Sequence, residues 1–436
     1  MAVAQKADPH YDRDDSAIAL HPHKVNMNLN IWKRLVRAPY GVAVALSILI
    51  QGFFTAVVGT LLPILLAEQL GLNKNDVIIF FLLNTLMGAT VVLGSGWLSD
   101  GIIARYKLVL IGVGLGTLGF IGFGTATLPV HTWLAGLGLA QYGVVFPQLF
   151  AVAKAGIVNK WERGEQVTGL TALRTMFSLG FVIGTGLASL LAHSNLQTVF
   201  LVLMVPSLIT SLAIAYLLYI MEAHIKKQSQ PAPEQGDAPV PVVQRSLPLW
   251  VFVVPILALL LMRGADSART TYLPLVMIQL FKDASIAPIM FGLSAAAELV
   301  TMSLMGSIAG RIGEKWAITI GALIGVAYYI VMSFSQSLPL LYVSNIVYAV
   351  FTGATAGVAM VYLQNMMAHR VGIGGSLYMT LFNLGNLIGL LAPLLVHDYD
   401  QSIFIAPIVL CLIGALLMIF GDRTAQVEAR LRSEAA

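Results

Sequence analysis

Runs of about 20 apolar residues, the length of a helix that crosses a bilayer core, recur twelve times along this chain of 436 residues. They are predicted at 40–67, 77–97, 107–127, 131–156, 166–192, 197–221, 249–280, 286–309, 316–335, 338–365, 373–397 and 402–421. In lipid only helices and closed barrels satisfy every backbone group. These runs lack the alternation of barrel strands, so the predicted class is an all-α membrane protein with twelve spans. Composition supports this. Charged residues make up 11% of the chain, against about 25% in a soluble domain. Such a chain cannot clothe a globule in polar surface, which excludes a soluble enzyme or a nucleic-acid binder. Its single cysteine, Cys411, lies inside an apolar run, and its eight histidines fall in the tail, loops or span ends. No disulfide framework, metal site or cofactor is expected.

Basic residues set the topology. With the N-terminus in the cytoplasm, 20 of the 25 Lys and Arg fall on the inner side. Lys74 and Lys282 are the outer exceptions, and Arg174, Arg263 and Arg269 lie within spans. Both termini are therefore expected inside. Residues 1–37 read as a polar cytoplasmic tail with no signal-peptide pattern. Residues 38–221 form a first six-helix half, and 222–247, rich in proline and charge, a cytoplasmic linker. Residues 248–421 form the second half and 422–436 a cytoplasmic tail.

The halves carry related segments. Phe177-Ser-Leu-Gly-Phe-Val-Ile-Gly184 in span 5 matches Phe382-Asn-Leu-Gly-Asn-Leu-Ile-Gly389 in span 11 at five of eight positions. Gly96-x-x-x-Asp100, followed by Arg105 and Lys107, has a counterpart after span 8 in Gly306-x-x-x-Gly310-Arg311-x-Gly313-x-Lys315. Duplicated halves are the mark of alternating-access transporters.

Twelve spans in a 6+6 layout, with a Gly-rich basic loop after spans 2 and 8, resemble the major facilitator superfamily. Gly101 and Ile103 depart from its first loop motif, and Gly310 from its second. Phe146-Pro-Gln-Leu-Phe-Ala-Val-Ala-Lys154, Glu165, Arg174 and Val182-Ile-Gly184 are similar to the sugar efflux transporter family. So are Leu273-Pro-Leu275, Glu298, Leu341-Tyr-Val-Ser-Asn345, Gly357 and Gln364. The resemblance implies a pseudo-symmetric fold with N- and C-termini inside and efflux of sugars or glycosides across a bacterial inner membrane. It also implies alternating access and exchange for protons. Thr185 stands where that family has proline, and span 7 is more charged than expected; both bear on the substrate.

Charge at the bilayer centre is costly and usually lines a cavity. Two acids lie well inside spans, Asp266 and Glu298. The proton affinity of such a carboxylate follows its burial and nearby cations. A conformational change that swaps those surroundings takes up a proton on one face and releases it on the other. Each acid reads either as a proton carrier or as a static helix pairing. Asp266 has Arg263 and Arg269 as helix neighbours at i−3 and i+3. Glu298 has no basic residue within four positions. In the superfamily fold span 5 faces span 8. There Arg174 and Glu298 lie about 12 and about 16 Å from the inner ends at 1.5 Å per residue. An Arg174–Glu298 pair or shared network is expected. Asp100, with Gly96 and Arg311 from the two loop motifs, is expected to gate the inner side. Asp100 would meet the small-residue start of span 11, where a helix N-terminus favours an anion.

Sugar recognition needs amides, hydroxyls and an aromatic face. The candidates are Gln51, Asn84, Gln141, Tyr142, Gln148, Asn345, Tyr348, Gln364, Asn383 and Asn386. Each reads either as a substrate contact or as a helix–helix hydrogen bond. The expected partners are a small sugar or glycoside, protons and lipid, with no nucleic acid, and the chain is expected to be a monomer. A drug-type proton antiporter and a non-transporting membrane sensor are the competing readings. No nucleophile elbow, P-loop or metal helix suggests an enzyme.

Overall fold

A computed structural model describes residues 29–99, 102–161, 163–228, 249–366, 371–396 and 398–421. Among them every regular element is helical. A short helix α1, Leu29–Arg37, precedes the first half. That half comprises α2, Gly41–Gln69; α3, Lys74–Ser99; α4, Arg105–Thr125; α5, Pro129–Gly156; α6, Arg163–Leu191; and α7, Leu196–Gln228. The second comprises α8, Leu249–Phe281; α9, Ile286–Ile312; α10, Glu314–Phe334; α11, Leu338–Leu363; α12, Val371–Leu390; and α13, Gln401–Phe420. Helices α2 to α13 thus follow predicted spans 1 to 12 in order.

Ten of these helices are long and apolar enough to cross a membrane. The two outside that set are α8 and α12. Helix α8 has 33 residues but carries Arg263, Asp266 and Arg269 mid-length. On α12, side chains are described only from Thr380 onward.

The helix pairings repeat between the halves. Helix α2 lies along α6 and α8 along α12; α4 pairs with α7 and α10 with α13; α3 packs on α5 and α9 on α11. Across the halves α6 meets α9, α3 meets α12 and α2 meets α8. This pattern explains the repeated Leu-Gly-x-x-x-Gly segment. Cβ atoms added at Gly180 and Gly184 would lie 1.8 Å from the Leu49 carbonyl oxygen and 2.4 Å from that of Phe53 on α2. At the matching Gly389 the added atom would lie 2.3 Å from the Gly264 carbonyl oxygen on α8. Small residues let two backbones approach closely in lipid, where dispersion rather than water drives association.

Two predicted boundaries move. Helix α7 runs on to Gln228, through residues read as linker, because Met221 and Ile225 pack over Gly156 and Glu222 accepts from the Arg105 N–H at 3.0 Å. The tail read as polar ends in α1, whose Leu35 is fully buried while Lys33, Arg34 and Arg37 face outward. Winding also departs from symmetry. Helix α5 tightens to a 3₁₀ turn at Gln141–Val144, whereas α11 widens to a π turn at Gly353–Val358.

Candidate functional site: the charged cluster on α8

Asp266, Arg263 and Arg269 project from α8 into the second half, and each takes partners from other helices. Arg263 holds Asp266 in an ion pair and donates its other terminal nitrogen to Asn386 Oδ1 of α12 at 3.1 Å. The same guanidinium lies 3.4 Å over the Phe382 ring. Tyr348 of α11 donates its hydroxyl hydrogen to the second Asp266 oxygen. The Asp266 carboxylate is thus held from two sides.

Arg269 lies deeper, at 3% exposure. Its Nε donates to Tyr328 Oη of α10 at 2.7 Å. Its Nη2 donates to Asn345 Oδ1 of α11 at 2.6 Å and to Ser294 Oγ of α9 at 3.2 Å. The Tyr348 ring lies 3.8 Å beneath the guanidinium. Every contact is to a neutral oxygen or an aromatic face, so Arg269 joins four helices without a touching counter-ion. A guanidinium stays charged at any working pH, and this one is a fixed positive charge beside Asp266.

Glu298 of α9 sits amid the protein, yet part of its surface remains accessible. The Thr352 hydroxyl of α11, which donates to the Ala349 carbonyl at 3.1 Å, lies beside it, and Arg174, Arg269 and Arg263 act on it electrostatically. Arg174, on α6 of the other half, is half-buried and makes no ion pair within 4.0 Å among the described residues. The two groups share a field across the junction rather than a contact.

The expected substrate residues divide. Asn345, Tyr348 and Asn386 join the cluster. Asn383, one turn before Asn386, is half-buried. In the first half, Asn84 donates to the Gly136 carbonyl of α5 at 2.8 Å. The Tyr142 hydroxyl accepts from Ser207 of α7 at 3.0 Å, which turns it towards helix packing. Gln141 bonds back to the Leu137 carbonyl at 3.2 Å and lines a groove of about 610 Å³ between α3, α4 and α5. Gln51 is buried on α2. Gln148 donates to the Ser95 carbonyl at 3.3 Å, and its own side-chain oxygen is buried without a partner. The Gln364 side chain and all of Asp100 lie outside the described residues. Gly96 has open space around it, and Arg311 is exposed at the end of α9.

Tyr328, Ser294, Thr352 and Phe382 complete the cluster and were not among the expected residues. A signal existed for the first. Tyr328 lies mid-way along an apolar run, where a phenol must find a partner.

A family signature for the Major Facilitator Superfamily matches residues 44–297 and 256–435. Sugar efflux transporter B of Salmonella typhimurium is 26% identical over 348 residues, 78% of this chain and 86% of that protein. Sugar efflux transporter A of Escherichia coli K12 gives the same four values. These relatives agree with the resemblance read from spans 4 and 5. Among solved structures, the nucleoside transporter NupG aligns with a TM-score of 0.62 at 14% identity, over 91% of this chain and 99% of that one. Tetrameric PepTSo2 aligns with a TM-score of 0.65 at 12% identity, over 90% and 98%. The latter likenesses establish the fold. Apolar helices paired in repeating order among the described residues, a charged cluster within the second half and the matched signature make this a multi-pass membrane transporter rather than an enzyme, and the chain belongs to the Major Facilitator Superfamily.

Proposed function

We propose that the protein exports sugars or glycosides across a bacterial inner membrane by proton antiport. Helices α8 and α12 complete twelve spans, and the end carrying α1 faces the cytoplasm. The observation that carries the reading is the cluster itself: two acids, three guanidiniums and several amides among the spans, contributed from both sides of the junction. Sugar efflux transporters among the relatives support the substrate class.

In this reading the acids divide the labour. Asp266, held by Arg263 and Tyr348 within one half, keeps the site's geometry. Glu298 is accessible and shares its field with Arg174 of the opposite half, so rocking of the halves changes its surroundings. That makes Glu298 the proton carrier. Phe382, Asn383 and Asn386 offer a ring face and amides to a sugar, and Asp100, Gly96 and Arg311 gate the inner side. A drug-type antiporter is the second reading. The observation behind it is a row of rings in the first half, with Phe146 at 5.0 Å from Phe177.

Purified protein in liposomes with a trapped pH dye and an imposed proton gradient tests the proposal. Mono- and disaccharides, glycosides and one cationic drug are added in turn. Counter-directed proton flux evoked by sugars or glycosides is expected. Flux evoked by the drug alone would overturn the substrate class, and co-directed flux would overturn antiport.

A further inference from the structure

At the end of the bundle away from α1, two polar contacts cross between the halves. His193, between α6 and α7, meets Asp283, between α8 and α9, with Nε2 and Oδ1 3.1 Å apart. Lys74, at the start of α3, donates to the Val396 carbonyl just after α12. Neither contact touches the charged cluster. We infer that they form an outer latch that keeps the transporter closed on that side and tightens when His193 is protonated. The inference rests on the orientation proposed above, which places this end outside.

The acceptor is prepared. The same Asp283 oxygen that meets His193 also accepts from the Ser285 N–H at 2.8 Å and the Ser285 hydroxyl at 2.7 Å. A carboxylate pinned to the start of α9 cannot follow His193 when the halves part, so opening this end breaks the contact. Just beneath, α6 and α9 cross closely: a Cβ added at Gly292 would lie 2.9 Å from Thr185 Oγ1. The latch therefore lies over a tight crossing of helices from the two halves.

The pH sense follows from the groups present. The charged and titratable groups of the segments at this end are Lys282 and Asp283 between α8 and α9, Tyr342 on α11, which lies in the field of Asp283, Glu68 on α2, and Lys74 and Asp76 on α3. Asp398 and Asp400 lie between α12 and α13. The Ser285 bonds, and then the His193 charge, hold the Asp283 carboxyl below its ordinary 3.8. Its contribution is complete above that value and is lost only as pH falls below it. Between pH 5.5 and 7.5 Asp283 is a constant negative charge. Histidine is the side chain that ordinarily changes charge in this interval. A protonated His193 adds attraction that is present at the acid end and lost as pH rises. Both partners are largely exposed, so the expected change is small, about two- to fivefold in the closed-to-open ratio. An exporter bathed in acid would thereby open outward less often when it has no cargo.

The chain's one cysteine, Cys411, is fully buried, which makes thiol labelling clean. Thr185→Cys places a reporter under the latch. A membrane-impermeant maleimide is applied from outside to right-side-out vesicles at pH 5.5 and 7.5. At each pH His193→Gln is compared with the parent, which cancels the thiol's own titration. The expected result is two- to fivefold faster labelling of His193→Gln at pH 5.5 and a ratio near one at pH 7.5. Asp283→Asn should behave alike. Lys74→Met should speed labelling equally at both pH values. Equal His193→Gln ratios at the two pH values would overturn the latch. So would labelling confined to the α1 side. The assay needs no substrate, so a silent flux assay with intact pH-dependent ratios would sink the transport reading alone.

Discussion

Replacing Gly180 by alanine should separate α6 from α2, and the cost can be worked from the geometry. The new Cβ would fall 1.8 Å from the Leu49 carbonyl oxygen and 2.7 Å from its carbon. Ordinary contacts between carbon atoms lie near 3.5–4.0 Å, so the two backbones must part by about 1.5 Å. No side chain can swing aside, because the obstacle is a helix backbone. A radial gap of 0.5–1 Å already forfeits about a quarter to a half of each dispersion well along the seam. Overpacking typically costs about 1–3 kcal/mol, and this substitution belongs near 3. Gly59→Ala on α2 is the control. Nothing lies within 4 Å of its added Cβ, and helix propensity then favours alanine by up to about 1 kcal/mol. At about 2–4 °C per kcal/mol for a unit of about 200 residues, Gly180→Ala should lower Tm by about 6–12 °C relative to wild type. Thermal unfolding in detergent, followed by fluorescence-detected size exclusion, reads this directly. A Tm within 2 °C of Gly59→Ala would refute the close-packing argument. The repeat supplies a contrasting twin. A Cβ at Gly385 meets the Arg263 Cγ at 2.5 Å and Cβ at 2.6 Å, with the Leu260 carbonyl oxygen at 3.2 Å. A side chain yields more readily than a backbone, so Gly385→Ala should cost less in Tm and more in transport, by pushing Arg263 off Asp266 and Asn386.

Glu298→Gln should abolish substrate-evoked proton flux while leaving radiolabelled counterflow measurable; unchanged proton flux would move the carrier role elsewhere. Arg174→Ala should shift transport strongly in the parent and little in Glu298→Gln, and additive effects in that double-mutant cycle would show that the two groups act independently. Arg269→Lys keeps the charge but loses the fork that serves Tyr328, Asn345 and Ser294, so a stability loss of about 1–3 kcal/mol is expected by thermal unfolding. Asp283→Asn should cost slightly more thermal stability at pH 5.5 than at pH 7.5, because it removes the partner of a protonated His193; an equal cost at both would count against the pair. The carboxylate it replaces has its depressed titration below that window.

The helical class and the paired halves were legible because lipid imposes one strong rule, about 20 apolar residues per crossing, and because Gly180, Gly184 and Gly389 recur where backbones touch. The cluster was half legible. Arg263, Asp266 and Arg269 announce themselves as charges in an apolar run. Which hydroxyls and amides would reach them was hidden, since Tyr328 and Ser294 come from helices whose rotation no single run reveals. Spacing alone could not show that Asn84, Tyr142 and Gln141 take neighbouring helices or their own as partners. An amide aimed at a cavity and one aimed at a neighbouring carbonyl have the same sequence. Of the expected Arg174–Glu298 pair or shared network, the structure holds an electrostatic influence of Arg174 on Glu298 and no direct ion pair among the described residues.

The π turn of α11 has a consequence for comparing lengths. A π turn spends five residues where an α turn spends four, so Gly353–Val358 holds a surplus residue relative to an uninterrupted helix. Delete one residue there and the wide turn can relax to α with its neighbours Thr352 and Ala359 still in place. An alignment of this chain with relatives that have a straight tenth span should therefore open a single-residue gap between Thr352 and Ala359. Such a gap would mark where the second half gained a residue that the first half, wound tight at Gln141–Val144, never acquired.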